Sequence, residues 1–554
     1  MSPLISVPNF KALVAIAAGQ SSPFSLRHAS SSSVAIFLRG LIHNNSFVLA
    51  VMIPYFVVMA ILGIYGLHRY WLLYAYFKNR RNVLGPPPAV SEWPMATIQL
   101  PIYNERYVVE RLLDTVAQIE YPRDRLEIQI LDDSTDETQQ IARACVERYQ
   151  VLGLPIRYVH RSDRAGFKAG ALAAGLKSAA GEFVAIFDAD FLPPPDFLLR
   201  TIPYLNDPKI ALIQTRWTYV NRSHSVLTEI ETILLDGHFV IEQGARSRSG
   251  DFFTFNGTAG VWRRAAIDDA GGWQHDTLTE DADLSYRAQL RGWKFLYLPD
   301  MECPSELPAE MNAFKVQQTR WAKGLMQTAI KILPRVLRSD APLHTKVEAF
   351  FHLSANICYP LVILLSLLAL PVMTVRFHLG GFMRSIVDLF VFIATTGSIS
   401  AFFLLSQREL YPRAWTRSIL YLPLTLAVFI GLTVRNGKAA VEALIGVRSE
   451  FVRTPKFQIG KLTGVVQKKL YRSRAGFMPY VEIAMGLYFA FAAIYSILSK
   501  NYGTTAFLVL SVYGFMYTGI MSIAQDRWDR LRSRYGRRTS PEIVDYAACE
   551  HPGE

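Results

Sequence analysis

The chain has 554 residues, of which 51% are hydrophobic, and its mean hydropathy is +0.18. This composition is too apolar for an ordinary soluble protein and indicates a membrane protein with more than one domain. The net charge of +12 does not by itself indicate nucleic-acid binding, because Lys and Arg beside apolar segments are expected in cytoplasmic loops. The four cysteines have no CxxC spacing, which argues against a zinc site and a disulfide framework.

The first apolar segment follows a Ser-rich N-terminal extension, residues 1–45. Residues 47–67 carry no charge and are long enough to cross a bilayer, which takes about 20 helical residues, so we predict a membrane helix over 46–75. The aromatic and basic cluster HRYWLLYAYFKNRR follows. By the positive-inside rule, this cluster places the next domain in the cytoplasm and the N-terminus outside.

Residues 92–305 alternate between short β-rich segments and amphipathic segments, which predicts an α/β domain. The predicted strands are ATIQLPI, LEIQILDD, IRYVH and EFVAIFDAD. The predicted helices are VVERLLDTVAQI, TQQIARACVERY and KAGALAAGLKSA. This alternation favours a parallel, nucleotide-binding-type sheet, in which ligands bind beyond the carboxyl ends of the strands.

Acidic residues stand at the ends of two predicted strands. Asp132 and Asp133 end LEIQILDD, where each is also a plausible helix cap or turn residue. Asp188 and Asp190 end EFVAIFDAD, and alternation in an extended segment brings both carboxylates to one side. That arrangement suits a divalent cation that bridges diphosphate oxygens.

A third acidic set, TED at 279–281, opens a predicted helix. Acidic residues in the first turn also stabilise a helix through its dipole. The pattern alone therefore leaves catalysis and helix stabilisation open.

Five further apolar segments follow the α/β domain, at 349–375, 389–406, 418–434, 483–499 and 502–525. The basic segment 435–474 is expected in the cytoplasm, yet three full crossings before it would place it outside. We therefore predict that 418–434, which is short and contains Pro423, is an interfacial or re-entrant helix. This gives five crossings, with six as the alternative.

The predicted order after the α/β domain contains five parts. They are interfacial helices at 306–345, membrane and interfacial helices at 346–447, a cytoplasmic loop at 448–475, a membrane hairpin at 478–525 and a basic cytoplasmic tail at 526–554.

Eight short motifs stand in the order and spacing of inverting, processive family 2 glycosyltransferases. They are PIYNE (101–105), LDDSTDET (131–138), GFKAGAL (166–172), FDADF (187–191), FNGTAGVWR (255–263), AGGW (270–273), TED (279–281) and QQTRW (317–321). Over about residues 95–460 the chain most resembles the cellulose-synthase-like group, which includes plant mannan synthases. The resemblance implies an α/β fold, with a GT-A-type nucleotide-sugar-binding domain inserted between transmembrane α-helices.

The resemblance also implies a role for each matching residue. Nucleotide-sugar binding is assigned to Tyr103, Glu105, Asp132, Asp133, Lys168, Asp188 and Arg320, and metal binding, with Mg²⁺ or Mn²⁺, to Asp190. Asp281 matches the general base, and its neighbour Glu280 is grouped with it as catalytic. The acceptor is expected at Gln317, Trp321, Gly257 and Thr258.

These assignments agree with the chemistry of inversion. One carboxylate can act as base on the side opposite the leaving diphosphate, without a covalent intermediate. The diphosphate needs positive charge, from a divalent cation and from Arg320 and Lys168. Trp321 offers an apolar face to a sugar ring, although tryptophan is also enriched at membrane interfaces.

The segment RSEFVRTPKF, residues 448–457, resembles the gating loop of cellulose-synthase-like enzymes. Phe451 and Arg453 are assigned to the gate itself. Thr454 and Lys456 are expected to contact the nucleotide diphosphate.

Taken together, the residues and the resemblance predict an integral membrane synthase with a cytoplasmic catalytic domain, in a bacterial inner membrane or, in a eukaryote, a Golgi membrane. It would elongate a β-glucan or a β-mannan or glucomannan and export it past Asn356, Tyr359, Ser398 and Ser400. Expected partners are a nucleotide-sugar donor, the growing polysaccharide and the lipid bilayer, with no nucleic acid. The alternatives are an enzyme that transfers one hexose to ceramide or diacylglycerol, and a sugar-binding or transport protein, which would leave the motifs as coincidence.

Overall fold

The computed structural model describes residues 45–376, 392–447, 476–499 and 502–536. Within these ranges, a mixed α/β domain with a GT-A-like fold lies in the chain between apolar helices. Its strands are β1 (Ala96–Ile102), β2 (Leu126–Asp132), β3 (Ile156–His160), β4 (Phe183–Ile186), β5 (Ile210–Tyr219), β6 (Gly260–Arg263) and β7 (Lys294–Ser305).

The seven strands form one sheet in the order β3-β2-β1-β4-β6-β5-β7. Strand β1 pairs in parallel with β2 and β4, and β2 pairs in parallel with β3. Strand β6 runs antiparallel to both β4 and β5, whereas β5 and β7 are parallel. All four predicted strands and all three predicted helices of the α/β domain are present, but the expectation of a parallel sheet is wrong at β6. The chain leaves β5 and enters β6 at the same edge of the sheet, so β6 runs in the opposite direction.

The α-helices of the described ranges are numbered here in chain order. They are α1 (Asn45–Lys78), α2 (Val109–Val116), α3 (Thr138–Val151), α4 (Phe167–Ser178), α5 (Phe197–Thr201), α6 (Val226–Asp236), α7 (Gly244–Ser249), α8 (Arg264–Asp269), α9 (Glu280–Leu290), α10 (Met311–Arg338), α11 (Leu343–Ser354), α12 (Cys358–Arg376), α13 (Ser398–Leu410), α14 (Arg417–Gly431), α15 (Thr433–Leu444), α16 (Met478–Leu498) and α17 (Tyr502–Gly536). Two π-helical turns lie at Gly237–Gln243 and Ile393–Gly397.

The sheet is covered by apolar side chains on both faces, because successive residues of a strand point to opposite sides. Ile98, Leu100 and Ile128 belong to one buried cluster. Val184 and Leu212 belong to the other. Burial on both faces explains why the strands read as nearly continuous apolar runs rather than strict alternations.

Four helical stretches of the described residues are long and apolar enough to cross a membrane. They are Ser46–Lys78, Leu343–Val375, Met478–Leu498 and Tyr502–Trp528. Helices α14 and α15 bend by 43° at their junction and together form either a fifth, broken span or a re-entrant loop. The re-entrant helix predicted at 418–434 and the count of five crossings stay predictions, and the predicted segment 389–406 begins outside the described residues.

Helix α10 packs against the last two apolar helices, α16 and α17. The Lys315 ammonium donates to Glu482 Oε2 at 2.5 Å, to the Thr518 carbonyl at 2.9 Å and to Ser522 Oγ at 2.8 Å. Lys315 and Glu482 are both almost fully buried, with 1% and 0% of their side chains exposed. A buried ion pair of this kind costs several kcal/mol to break from one side, so it fixes α10 against α16 and α17.

Candidate active site

A cavity at the carboxyl edge of the sheet brings together most of the predicted site residues. Its walls include Tyr103, Glu105, Asp133, Lys168, Asp188, Asp190, Gly257, Glu280, Asp281, Gln317, Arg320 and Trp321. These residues follow β1, β2 and β4, begin α4 and α9, precede β6, or lie within α10. Residues more than 200 positions apart in the chain therefore face one space.

Asp132 and Asp133 are neighbours with different surroundings. Asp132 is fully buried, does not line the cavity, and accepts hydrogen bonds from the Ser134 backbone N–H at 2.8 Å and from the Tyr158 hydroxyl. Asp133 lines the cavity and accepts two hydrogen bonds from the Arg161 guanidinium, at 2.8 and 2.5 Å. Asp132 thus stabilises the end of β2, and Asp133 stands on the cavity wall.

Lys168 joins two sides of the cavity. Its ammonium donates to Asp188 Oδ1 at 2.5 Å and to the Gly257 carbonyl at 2.8 Å. Burial opposes the charged form of Lys168, but the Asp188 and Glu280 carboxylates outweigh burial and raise its pKa. Thr258 is fully buried, and its hydroxyl accepts a hydrogen bond from the Asp188 backbone N–H at 2.9 Å. This bond helps to hold Asp188 in place beside Lys168.

Asp281 lies in the first turn of α9, beside Glu280. Burial, together with the nearby Glu280 carboxylate, raises the pKa of Asp281 to about 7. Asp281 Oδ1 accepts from the Ala282 backbone N–H at 2.8 Å, while Oδ2 faces Gly257. A Cβ at position 257 would lie 3.0 Å from that oxygen, and Gly257 has a φ of +85°, so only glycine suits this position.

Gln317, Arg320 and Trp321 share one face of α10, because residues three and four apart lie on the same side of a helix. All three line the cavity. Gly324 permits close packing of α10 against the TED motif, since a Cβ there would lie 2.6 Å from Thr279 Cγ2. Burial lowers the pKa of Arg320, and the surrounding carboxylates oppose that lowering.

The predicted metal residue, Asp190, lies on the wall and has 8% of its surface exposed. No group of three His, Cys, Asp or Glu side chains that could hold a metal ion occurs among the described residues. Mg²⁺ and Mn²⁺ in nucleotide sites are commonly held by one or two carboxylates together with substrate phosphates. Asp190 fits that mode, with Asp188 already paired to Lys168.

Three residues other than glycine have a positive φ in the described ranges: Asn104 at 55°, Phe167 at 50° and Ala259 at 54°. Asn104 stands between Tyr103 and Glu105, and Phe167 precedes Lys168. Such backbone conformations are unfavourable for residues with a Cβ and are concentrated at functional sites. Their positions beside the cavity agree with a functional role for it.

The structure adds wall residues that were not predicted. The Arg164 guanidinium lies 3.4 Å from the centre of the Tyr103 ring, and Trp217 and Tyr219 line the cavity at the end of β5. The rule that ligands bind at strand ends would have identified the two aromatic residues if β5 had been predicted. Arg164 precedes the GFKAGAL motif without any periodic signal. The predicted gate residues Phe451, Arg453, Thr454 and Lys456 lie outside the described residues.

One cavity thus holds the strand-end carboxylates Asp188 and Asp190, the helix carboxylate Asp281, and the cations Lys168 and Arg320. This arrangement is that of a sugar transferase with a GT-A-like fold. The family described as "Glycosyltransferase like family 2" matches residues 94–324, and the chain belongs to this glycosyltransferase family.

Two curated relatives from Arabidopsis thaliana are hexosyltransferases by name. Glucomannan 4-beta-mannosyltransferase 2 is 41% identical over 328 residues, which are 56% of this chain and 61% of that relative. Glucomannan 4-beta-mannosyltransferase 9 is 35% identical over 434 residues, which are 74% of this chain and 78% of that relative.

Among solved structures, the fold is similar to that of mannosyltransferase PcManGT from Pyrobaculum calidifontis in complex with GDP-Man and Mn²⁺. The TM-score is 0.49 and the sequence identity 21%, over 71% of this chain and 100% of that one.

Proposed function

We propose that the protein is a membrane-embedded, inverting and processive mannosyltransferase that elongates a β-1,4-linked mannan or glucomannan from GDP-mannose. The observation that carries this proposal is the position of Asp281 in the same cavity as Asp188, Asp190 and Lys168, with Trp321 of α10 also on its wall. The names of the relatives favour mannose over glucose.

The donor binds along the strand ends. Tyr103, stacked by Arg164, offers a face to the nucleobase, and Asp133 and Glu105 offer acceptors to polar groups of the nucleoside. Lys168 and Arg320 supply positive charge to the leaving diphosphate. A divalent cation held by Asp190 would neutralise further diphosphate charge when bound.

The acceptor binds against α9 and α10. Trp321 offers an apolar face to the terminal sugar ring, and Gln317 offers a donor and an acceptor to its hydroxyls. The Asp281 carboxylate takes the proton of the attacking hydroxyl as that oxygen bonds to the anomeric carbon and the diphosphate leaves from the opposite side. A pKa of about 7 suits a general base that works near neutral pH.

Polymer export is supported by how α10 packs. The turn Ala355–Ile357, which contains Asn356, packs against α15 and against α10, the helix that carries Trp321. Tyr359 lies at the start of α12, beside Gly437 of α15. Ser398 and Ser400, in contrast, donate to carbonyls of their own helical turn at 2.8 and 2.7 Å. We therefore keep Asn356 and Tyr359 as candidate channel residues and assign the two serines to helix packing.

The proposal is tested by the product that the purified protein makes in detergent with Mg²⁺ or Mn²⁺. Radiolabelled GDP-mannose and UDP-glucose are supplied separately and together, and the products are digested with a β-1,4-mannanase or a β-1,4-glucanase. We expect mannanase-sensitive polymer from GDP-mannose. Glucanase-sensitive polymer would reject the mannose assignment, and label found as one sugar on an extractable lipid would reject the polymer.

A further inference from the structure

A chain of buried and partly buried polar side chains runs from the cavity wall to two of the helices that are apolar enough to cross a membrane. At the cavity, Asn256 Nδ2 lies 2.8 Å from His238 Nε2. The other ring nitrogen of His238, Nδ1, lies 2.9 Å from Glu242 Oε2. His238 and Glu242 both belong to the π-helical turn Gly237–Gln243, a distortion that is frequent at functional sites.

The chain continues through Arg246 to the membrane helices. Arg246 lies 3.5 Å from Glu242 and donates to Glu348 Oε1 at 2.9 Å. Glu348 Oε2 in turn lies 2.8 Å from His68 Nε2. Glu348 is in α11 and His68 in α1, within two of the stretches that are apolar enough to cross a membrane. We call the set His68, Glu348, Arg246, Glu242 and His238 the polar relay.

The partners of His238 define which of its nitrogens carries the proton. Burial alone would raise the pKa of Glu242, but Arg246 and His238 hold it well below its usual value, so Glu242 is an ionised acceptor. Nδ1 of His238 therefore donates to Glu242, and Nε2 accepts from the Asn256 amide. Asn256 Oδ1 accepts from Gln243 Nε2 at 2.6 Å, which fixes the orientation of the same amide.

Residues 254–258, here the acceptor turn, are held mainly by side chains. The backbone N–H groups of Phe255 and Asn256 donate to Ser285 Oγ and Gln214 Oε1, both at 2.9 Å. Gln243 donates to the Thr254 carbonyl at 2.9 Å. Strand pairing starts only at β6, so the position of the turn depends on these side-chain contacts.

The acceptor turn borders the reacting groups. Gly257 accepts from the Lys168 ammonium at 2.8 Å and lies against Asp281 Oδ2. A displacement of Asn256 would move its neighbour Gly257. Because Gly257 contacts Lys168 and Asp281, the position of the proposed base, Asp281, would then change as well. Misplacement of reacting groups by about 1 Å can cost about 100-fold in rate.

We propose that His238 is a positioning residue that holds Asn256, and through it the acceptor turn, against Asp281. The proposal rests on the proposed function for the identity of the base and the acceptor. The π-helical turn places both partners of the Asn256 amide: His238 beside its nitrogen and Gln243 beside its oxygen.

Two substitutions of His238 separate its two hydrogen bonds. Asparagine (H238N) keeps a donor near the Nδ1 position toward Glu242 but has no acceptor for Asn256. Glutamine (H238Q) provides an acceptor near the Nε2 position for Asn256 but loses the bond to Glu242. Each full-length variant is purified in detergent, its melting temperature is measured, and it is compared with wild type in sugar transfer and in hydrogen–deuterium exchange of peptides covering 254–258.

We expect H238N to lower kcat by about 10- to 100-fold with an unchanged KM for the donor, and to speed exchange in the acceptor turn. H238Q should resemble wild type in both sugar transfer and exchange. If His238 had only a structural role, loss of its bond to Glu242 would impair H238Q as well. The proposal is overturned if H238N matches wild type in transfer and exchange, or if H238Q is impaired as strongly as H238N. If wild type transfers no sugar from any donor, the proposed function fails, and the exchange of the acceptor turn in H238N alone then supports or overturns the positioning role of His238.

Discussion

On the donor side of the cavity the residues stand at the carboxyl ends of paired strands, whereas on the acceptor side they stand on a turn and two helices. Strands β1 and β2 pair over their full length, from Ala96–Leu126 to Ile102–Asp132, so backbone hydrogen bonds fix the donor side. The acceptor side is held by side-chain contacts between distant parts of the chain, such as Lys315 with Glu482. We therefore expect substitutions such as Asp132→Asn on the donor side to change mainly the stability of the fold. Substitutions such as Asp281→Asn on the acceptor side should change mainly the rate of transfer.

The largest effect is expected on the acceptor side, from Asp281→Asn. The variant keeps the size of the side chain but removes the base, so transfer should fall by about 1000-fold, within the usual range for general bases. Because the folded state raises the pKa of Asp281 to about 7, this residue lowers stability progressively as the pH rises from about 4, the pKa of an unfolded Asp, and the cost is complete above about pH 7. The variant should therefore melt no earlier than wild type at pH 8.

Asp268→Asn provides a matched control for that measurement, since Asp268 is exposed on α8. It should transfer sugar like wild type. If Asp281→Asn keeps most of the wild-type rate, Asp281 is not the base.

Lys168→Met tests the link between the two sides. The variant removes the contacts to both Asp188 and Gly257 and one positive charge at the diphosphate, so we expect kcat/KM to fall by about 100-fold. Steady-state kinetics with varied donor measures this loss. Lys177→Met, at an exposed position of the same helix, should be neutral, and an equal loss in both variants would point to the helix rather than to the ammonium.

A smaller effect is expected from pH. Asp281 acts as a carboxylate, and with a pKa of about 7 its active form should decrease by about tenfold between pH 8 and pH 6. Glu280→Gln removes a charge that raises this pKa, so the acid limb of the pH–rate profile should move to lower pH. A profile that is flat from pH 6 to pH 8 in wild type would contradict a base with this pKa.

The smallest effect on chemistry is expected on the donor side, from Asp132→Asn. This buried residue stabilises the end of β2, and disturbing its hydrogen bonds should cost about 1–3 kcal/mol of unfolding free energy. Thermal melting measures that cost against Asp124→Asn, an exposed control. A stable Asp132→Asn variant with a raised KM for the donor would instead indicate that Asp132 binds the nucleotide.

The same contrast explains how much the sequence could predict. Apolar runs and the strand-end rule predicted β1 to β4 and the position of Asp188 and Asp190, because backbone pairing follows from local patterns. They could not separate Asp132 from Asp133, since the two differ only in which side of the strand end they face. The polar relay joins residues 68, 238 and 348, which share no periodicity in the sequence. The antiparallel β6 was missed because it follows a long helical excursion rather than a crossover helix.

The claim that this cavity elongates a polymer is tested most directly by the length of the products during early transfer from GDP-mannose. Purified protein is supplied with radiolabelled donor in large excess over enzyme, and the products are sized at successive early times. Processive elongation predicts long, mannanase-sensitive chains from the first time point, in a number no greater than that of the enzyme molecules. Products that all lengthen together by single sugars, or that stop at one sugar, would contradict it.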